Sequence, residues 1–272
     1  MSRSHRRAAV AALFSFLFGC SAFVSLDGLT GGDAGLAEGG DGSDDVESDV
    51  VVQNDAGIDG RVSPCLKPHT FCDDFDHGLL GAKWDRMVMT AGSLSLSTNA
   101  VTQPNALEAT AISITGGSQT LLAKTFPAMD HTHIELDIQV ANPSDTTQTE
   151  VDLVALWLVQ APPGYSSSEL YVERWQDAAI LEQYALADDG GSVGQSLPIN
   201  ETFNAWRHVT LDLDRPSSTF TMSIDGQTPT VMLLEAPLAM FPFELGVGVA
   251  NVSSTIAGEW DVWIDNVVVD QN

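Results

Sequence analysis

From residue 62 to its end, the chain consists of short runs in which apolar and polar residues alternate. Clusters of Gly, Pro, Asn and Asp separate these runs. Alternation with a period of two is typical of strands that bury one face. Many short strands with turn signals between them predict an all-β sandwich or barrel. The runs expected to be strands are 93–98, 106–114, 118–126, 132–141, 150–160, 169–175, 179–187, 206–214, 219–226, 243–250 and 259–270.

The N-terminus has the pattern of an export signal. Three arginines lie within residues 1–7, and the apolar run 8–18 follows them. This run is about half of the roughly 20 residues that a membrane-spanning helix needs. A basic start followed by a short apolar core predicts a signal peptide over residues 1–19. The alternative to a protein that is lipid-anchored through Cys20 is an ordinary secreted protein in which this cysteine has no special role.

The segment "LFGC", which ends at Cys20, resembles a bacterial lipobox. This resemblance implies that Cys20 becomes the lipidated N-terminus of an exported protein. Ser21 follows the cysteine, which by analogy with bacterial sorting rules favours the outer membrane and cell surface of a Gram-negative bacterium. The lipid would be the protein's only attachment to a membrane.

Residues 20–61 are expected to form a disordered tether. Between Asp27 and Gly60 there are ten acidic residues and nine glycines, but no Lys, Arg or aromatic residue. Such a segment cannot bury enough apolar surface to offset the entropy of ordering. A calcium-binding repeat is the alternative, although no regular period supports it. We therefore expect the folded domain to span residues 62–272.

Charge limits the partners of this chain. The sequence has 37 Asp and Glu against 11 Lys and Arg, a net charge of −26. Such a field repels nucleic acid and anionic lipid but is compatible with neutral sugars, cations or basic proteins. The sequence gives no indication of oligomeric state.

Cys65 and Cys72 are expected to form a disulfide. The chain has three cysteines, and assigning Cys20 to lipid leaves this pair in a compartment where disulfides persist. No further Cys or His cluster completes a zinc site around them. Two free thiols remain the alternative.

Three segments together resemble the concanavalin A-like (laminin G-like) jelly-roll superfamily. They are "FCDDFD" (71–76) with Trp84, the Trp-led hairpin 205–227, and "VWIDNVVVD" (262–270). The resemblance implies a sandwich of two curved antiparallel sheets. Many such relatives bind or cleave glycans, and many have no assigned role. It also implies a structural Ca²⁺ at Asp265, with Asp74 or Asp76 nearby, as the one cofactor to consider.

The segment "HIELDIQV" (133–140) resembles the catalytic strand of glycoside hydrolase family 16, Glu-x-Asp-x-Glu, sometimes with one residue inserted before the last Glu. Glu135 and Asp137 match the first two acids, but Gln139 replaces the second Glu. An amide cannot deliver a proton to a leaving oxygen at useful rates. We therefore expect an ordinary strand whose core-facing residues are Ile134, Leu136, Ile138 and Val140. Glu135 and Asp137 remain the candidate acids only if hydrolysis is retained.

A glycan platform is expected where aromatic and acidic side chains alternate on neighbouring strands. The predicted ligand-binding residues are Tyr171, Glu173, Trp175, Glu182 and Tyr184. Trp157, on the preceding strand, is expected in the core. The function predicted from the sequence is a surface lipoprotein whose non-catalytic jelly roll binds carbohydrate or envelope components. A degenerate or active family 16-like enzyme and a purely structural or protein-interaction domain are the alternatives.

Overall fold

In the computed structural model, the described residues are 62–272 apart from 113–117, 142–149, 176–177, 200, 237–239 and 254–258. The predicted signal peptide, Cys20 and the predicted tether lie outside the described residues. After a short 3-10 helix at Pro64–Leu66, the described residues form fifteen strands. These are β1 (Phe71–Asp73), β2 (Arg86–Thr90), β3 (Gly92–Ser97), β4 (Ala106–Ile112), β5 (Gln119–Phe126), β6 (His131–Ala141), β7 (Glu150–Leu158), β8 (Tyr165–Trp175), β9 (Ala178–Ala187), β10 (Ser192–Ile199), β11 (Arg207–Asp214), β12 (Thr219–Ile224), β13 (Thr230–Leu233), β14 (Phe243–Ser253) and β15 (Glu259–Gln271).

The strands form two antiparallel sheets. The first sheet has the order β13-β12-β11-β6-β15-β4-β3, with β1 also paired to β15. The second sheet has the order β10-β9-β8-β7-β14-β5-β2. The predicted all-β sandwich of two antiparallel sheets is therefore confirmed.

The core lies between the sheets and follows the alternation of the sequence. In β6, the side chains of Ile134, Leu136, Ile138 and Val140 belong to one buried apolar cluster. The β11–β12 hairpin adds Val209, Leu211, Leu213, Phe220, Met222 and Ile224 to the same cluster. Burying one side of each strand removes this apolar surface from water, which is the main favourable contribution to folding. The predicted core face of "HIELDIQV" is correct.

The disulfide and a small aromatic group hold the first strand against the last. Cys65 and Cys72 are joined as predicted, with their Cα atoms 5.5 Å apart. Phe71 packs edge-on against Trp84 at 5.0 Å between ring centroids. The indole of Trp84 donates a hydrogen bond of 2.7 Å to Asp73. The chain is thus fixed at the point where β1 pairs with β15.

Alternation in the sequence missed four strands: β1, whose segment entered only through the resemblance of residues 71–76, and three strands that lie at sheet edges. β2 and β10 form the two edges of the second sheet, and β13 forms one edge of the first. An edge strand has one neighbour and buries less surface, so its alternation is weaker. In β2 no residue is fully buried. Among the described residues, no helix is long and apolar enough to cross a membrane.

Candidate functional site

The outward surface of the second sheet carries a row of aromatic and acidic side chains, which we call the aromatic face. Across three neighbouring strands, Trp157 of β7 lies opposite Glu169 of β8, which lies opposite Tyr184 of β9. On the other side of Trp157, the opposite residue of β14 is Glu244. Directly opposite residues in antiparallel strands project from the same side of the sheet at close range. A tryptophan flanked by two carboxylates therefore stands near the middle of this surface.

Trp157 lies on the aromatic face and not in the core, so the sequence-based expectation for this residue was wrong. Its neighbours Leu156 and Leu158 pack into the core, which directs Trp157 outward. It packs on a small apolar patch formed by Leu121, Ala123, Ala155 and Ala250.

Gly246 provides the space for the indole of Trp157. A Cβ atom on Gly246 would lie 2.4 Å from Cζ3 and 2.6 Å from Cη2 of Trp157. The ring therefore rests directly on the backbone of β14. Only a glycine permits this contact, because any side chain would occupy the position of the ring.

Tyr171 and Glu169 form a hydrogen-bonded pair beside Trp157. The phenol of Tyr171 donates to a carboxylate oxygen of Glu169. Burial, followed by the charges of Glu169 and Asp152, raises the pKa of Tyr171 well above its ordinary value. Burial also raises the pKa of Glu169, although the hydrogen bond from Tyr171 acts in the opposite direction. Tyr171 thus remains a phenol and holds Glu169 in place.

Four of the five predicted ligand-binding residues lie on one surface of β8 and β9, namely Tyr171, Glu173, Glu182 and Tyr184. Tyr171 lies opposite Glu182, and Glu169 lies opposite Tyr184. Tyr171 and Tyr184 are partly exposed. In contrast, Glu173 and Glu182 are only 1% and 8% exposed, so little of either is accessible to a ligand. Trp175 lies opposite Ala178 in the backbone register, while its side chain is outside the described part of the chain.

An ion pair borders Trp157 on the side of β14. The guanidinium of Arg86 donates from Nε to Glu244 at 2.9 Å and also from Nη2 to the other oxygen of Glu244. The hydrogen bond to Glu244 raises the pKa of Arg86. A bidentate pair of this kind fixes both side chains in orientation.

The polar side of β6 holds a chain of histidines and carboxylates on the opposite sheet. Nδ1 of His133 lies 2.6 Å from Asp212 and its Nε2 lies 2.8 Å from Glu135. Burial lowers the pKa of His133, but the hydrogen bonds to Glu135 and Asp212 outweigh this effect and the pKa is raised. Nδ1 of His208 lies 3.1 Å from Asp137, and this hydrogen bond is the main reason that the pKa of His208 is raised. A histidine whose two ring nitrogens both meet carboxylates is stabilised as the cation.

The candidate acids of "HIELDIQV" are hydrogen-bonded to neighbouring side chains. Asp137 is 5% exposed and also accepts a hydrogen bond of 2.9 Å from the amide of Asn266. Glu135 accepts from His133, and Gln139 accepts a hydrogen bond of 3.0 Å from the amide of Asn99. The polar side chains of β6 are therefore bonded to β11, to β15 and, through Asn99, to the segment that follows β3.

Asp265 does not fit a calcium site. It is fully buried, and one carboxylate oxygen accepts the backbone N–H groups of Val101 and Thr102 at 2.9 and 2.8 Å. The other oxygen accepts the backbone N–H of Asn266 at 2.8 Å. Burial raises the pKa of Asp265 to about 7, although these hydrogen bonds lower it in part. Calcium needs six to eight oxygen ligands, whereas Asp265 is surrounded by N–H donors.

The other acids predicted near calcium bond elsewhere. Asp74 accepts a hydrogen bond of 2.5 Å from the Ser63 hydroxyl, and Asp76 accepts one of 2.8 Å from the backbone N–H of Asn105. Within the described ranges, no group of three or more His, Cys, Asp and Glu could hold a metal ion.

Sequence reasoning missed a second Glu-x-Asp pattern in β7, and its Asp152 lies opposite Glu173 on the outward side of the sheet. Residues 150–155 read Glu-Val-Asp-Leu-Val-Ala, so Asp152 follows Glu150 with the spacing sought in β6. The register of β7 against β8 shifts between Asp152 and Val154, as an inserted residue requires. Ala155 stands where the last acid of the pattern would be. The signal is present in the sequence, where 150–160 is recognised only as a strand.

Solved structures provide the only matches found. No protein-family model and no curated protein matches the chain. A structure described as one of the endo-acting O-glycanases that human gut bacteria express to initiate mucin breakdown has a TM-score of 0.51 and 15% identity, covering 75% of this chain and 99% of the other. The cellulose-induced protein Cip1 has a TM-score of 0.50 and 13% identity, covering 74% of this chain and 97% of the other. At these identities the likeness concerns the fold alone. It supports the predicted concanavalin A-like jelly roll, a fold shared by carbohydrate-binding and glycan-active proteins.

Proposed function

We propose that this protein is a non-catalytic glycan-binding domain and that the aromatic face is its binding surface. The main support is the position of Trp157, a partly exposed indole that contacts the backbone at Gly246 and stands between Glu169 and Glu244. Binding sites commonly combine aromatic surface with a few fixed polar groups. The C–H face of a sugar ring packs on the indole, while the flanking carboxylates accept hydrogen bonds from its hydroxyl groups.

The protein is proposed not to hydrolyse glycans because each candidate strand lacks the last acid of the catalytic pattern. Retaining glycosidases need two carboxyl groups about 5–5.5 Å apart, one as nucleophile and one as acid and base. In β6, Gln139 takes the place of the last acid, and in β7, Ala155 does so. Neither side chain can donate a proton to a leaving oxygen. Assays of the full-length protein on β-glucans, galactans and alginates test this, and turnover that is lost in Glu135→Gln would establish an enzyme instead.

A glycan array probed with the full-length protein tests the binding proposal. We expect binding to at least one polysaccharide and a loss of at least about tenfold in Trp157→Ala. Trp206→Ala is the matched control, because Trp206 is also partly exposed but bonds to Asn99 beside the first sheet. Failure to bind any glycan, or equal losses in the two variants, would favour a structural or protein-interaction role.

We also propose that the protein is a lipoprotein at the surface of a Gram-negative bacterium, anchored through Cys20. The support is the order of the sequence, in which a basic and apolar start, "LFGC" and an acidic Gly-rich segment precede the β domain. Labelled palmitate followed by membrane fractionation tests this proposal. A wild-type protein that is unlabelled and soluble would contradict it.

A further inference from the structure

The aromatic face is rich in acidic side chains. Within the described part of the second sheet, the outward acidic residues are Asp152, Glu169, Glu173, Glu182 and Glu244. Of these, Asp152, Glu173 and Glu182 are buried, and Glu169 and Glu244 are partly exposed. Two of them, Glu169 and Glu244, flank Trp157 directly. A ligand that stacks on Trp157 therefore comes within a few ångströms of both carboxylates.

Basic side chains are nearly absent from the same surface. Of the Lys and Arg residues that the structure describes, only Arg86 projects from the aromatic face, because it lies opposite Ala123 of the apolar patch under Trp157. Arg174 packs over Trp260 in the core and Lys124 over Phe71. The undescribed segments within residues 62–272 contain no Lys or Arg. Arg86, in turn, donates hydrogen bonds to both carboxylate oxygens of Glu244.

We propose that the aromatic face selects neutral glycans and rejects polysaccharides that carry carboxylate or sulfate groups, an inference that rests on the glycan-binding function proposed above. Ionised carboxylates accept hydrogen bonds but cannot donate them, so they match the hydroxyl donors of sugars. An anionic sugar would instead need donors or a cation, and Arg86 is already engaged. The charge of Glu244 is balanced by Arg86, so the close-range repulsion of an anionic sugar comes from Glu169, and partial burial weakens its screening by salt. The net charge of −26 acts in the same direction at longer range.

Matched polysaccharide pairs test this selectivity. The full-length protein is run by affinity electrophoresis against polymers with a common backbone, such as β-glucan with carboxymethyl β-glucan and galactan with polygalacturonate. We expect binding to a neutral member at least about tenfold tighter than to its acidic counterpart at low salt. The difference should narrow as ionic strength rises, because salt screens the repulsion. Equal or tighter binding of the acidic member would overturn the inference while leaving glycan binding intact, and binding to neither member of any pair would overturn both.

Releasing Arg86 provides a second test. Glu244→Gln removes one negative charge and the bidentate partner of Arg86, so we expect it to gain affinity for the acidic polymers. Asp225→Asn is the matched control, because it makes the same change in charge and removes a 2.7 Å partner of Arg207 in the first sheet. Near-ultraviolet circular dichroism checks that both variants retain the fold. An equal gain in both variants would mean that net charge, and not the aromatic face, controls selectivity.

Discussion

The contact between Gly246 and Trp157 leads to a quantitative prediction. In Gly246→Ala, the new Cβ would lie 2.4 Å from the indole, whereas ordinary contacts are 3.4–4 Å. The ring must therefore retreat by about 1 Å. Crowding of this kind costs about 1–3 kcal/mol. The loss of backbone freedom in the unfolded chain offsets about 0.4–1 kcal/mol.

We expect a net destabilisation of about 1–2 kcal/mol, measured as the free energy of unfolding in urea. For a domain of this size, that corresponds to a fall in melting temperature of roughly 2–8 °C. Because Trp157 is displaced, glycan affinity should fall as well. Gly194→Ala is the control. It also lies in a strand of the second sheet, but its new Cβ would meet only the carbonyl oxygen of Gln183 at 3.5 Å.

A double-mutant cycle shows whether the indole is the cause. In a Trp157→Ala background, Gly246→Ala should be neutral or stabilising, because nothing remains for the new methyl group to displace. The reasoning would be refuted if Gly246→Ala cost the same free energy in both backgrounds. It would also be refuted if Gly194→Ala destabilised the protein by a similar amount.

Three further predictions concern other parts of the molecule. The pKa of His133 is raised in the folded state, so its stabilising contribution is complete below about pH 6.5 and is lost as the pH rises through the folded pKa. The free energy of unfolding should therefore decline with rising pH over this range, and His133→Gln should flatten that decline. An unchanged pH profile in the variant would contradict the role of the carboxylate partners of His133. Cys65→Ser with Cys72→Ser should lower the free energy of unfolding by about 2–3 kcal/mol, as expected for a short closed loop, and calorimetry showing no change in melting temperature would contradict this. Cys20→Ala should release the protein from membranes without altering the melting temperature of the β domain; membrane retention of the variant would show a different anchor.

Alternation in the sequence correctly predicted the all-β sandwich and the inward sides of β6, β11 and β12. This prediction works because one face of each strand is buried and the other meets solvent, so the period of two appears in the residues themselves. The disulfide was predicted for a similar local reason, because two cysteines seven residues apart remained once Cys20 was assigned to lipid. The weak edge strands β2, β10 and β13 were missed because an edge strand buries less surface.

The candidate site depended on information that is not local. The segment around Trp157 is apolar on both sides, so alternation does not reveal which way the indole points. Only the bulge after Asp152 and the pairing with β14 decide that Trp157 rests on Gly246. The register of β8 against β9, which brings Tyr171 opposite Glu182, is likewise fixed by the hydrogen bonds between the strands. A strand's own residues determine its two faces, but its neighbours are chosen by pairing across the sheet, and that choice exists only in the folded structure.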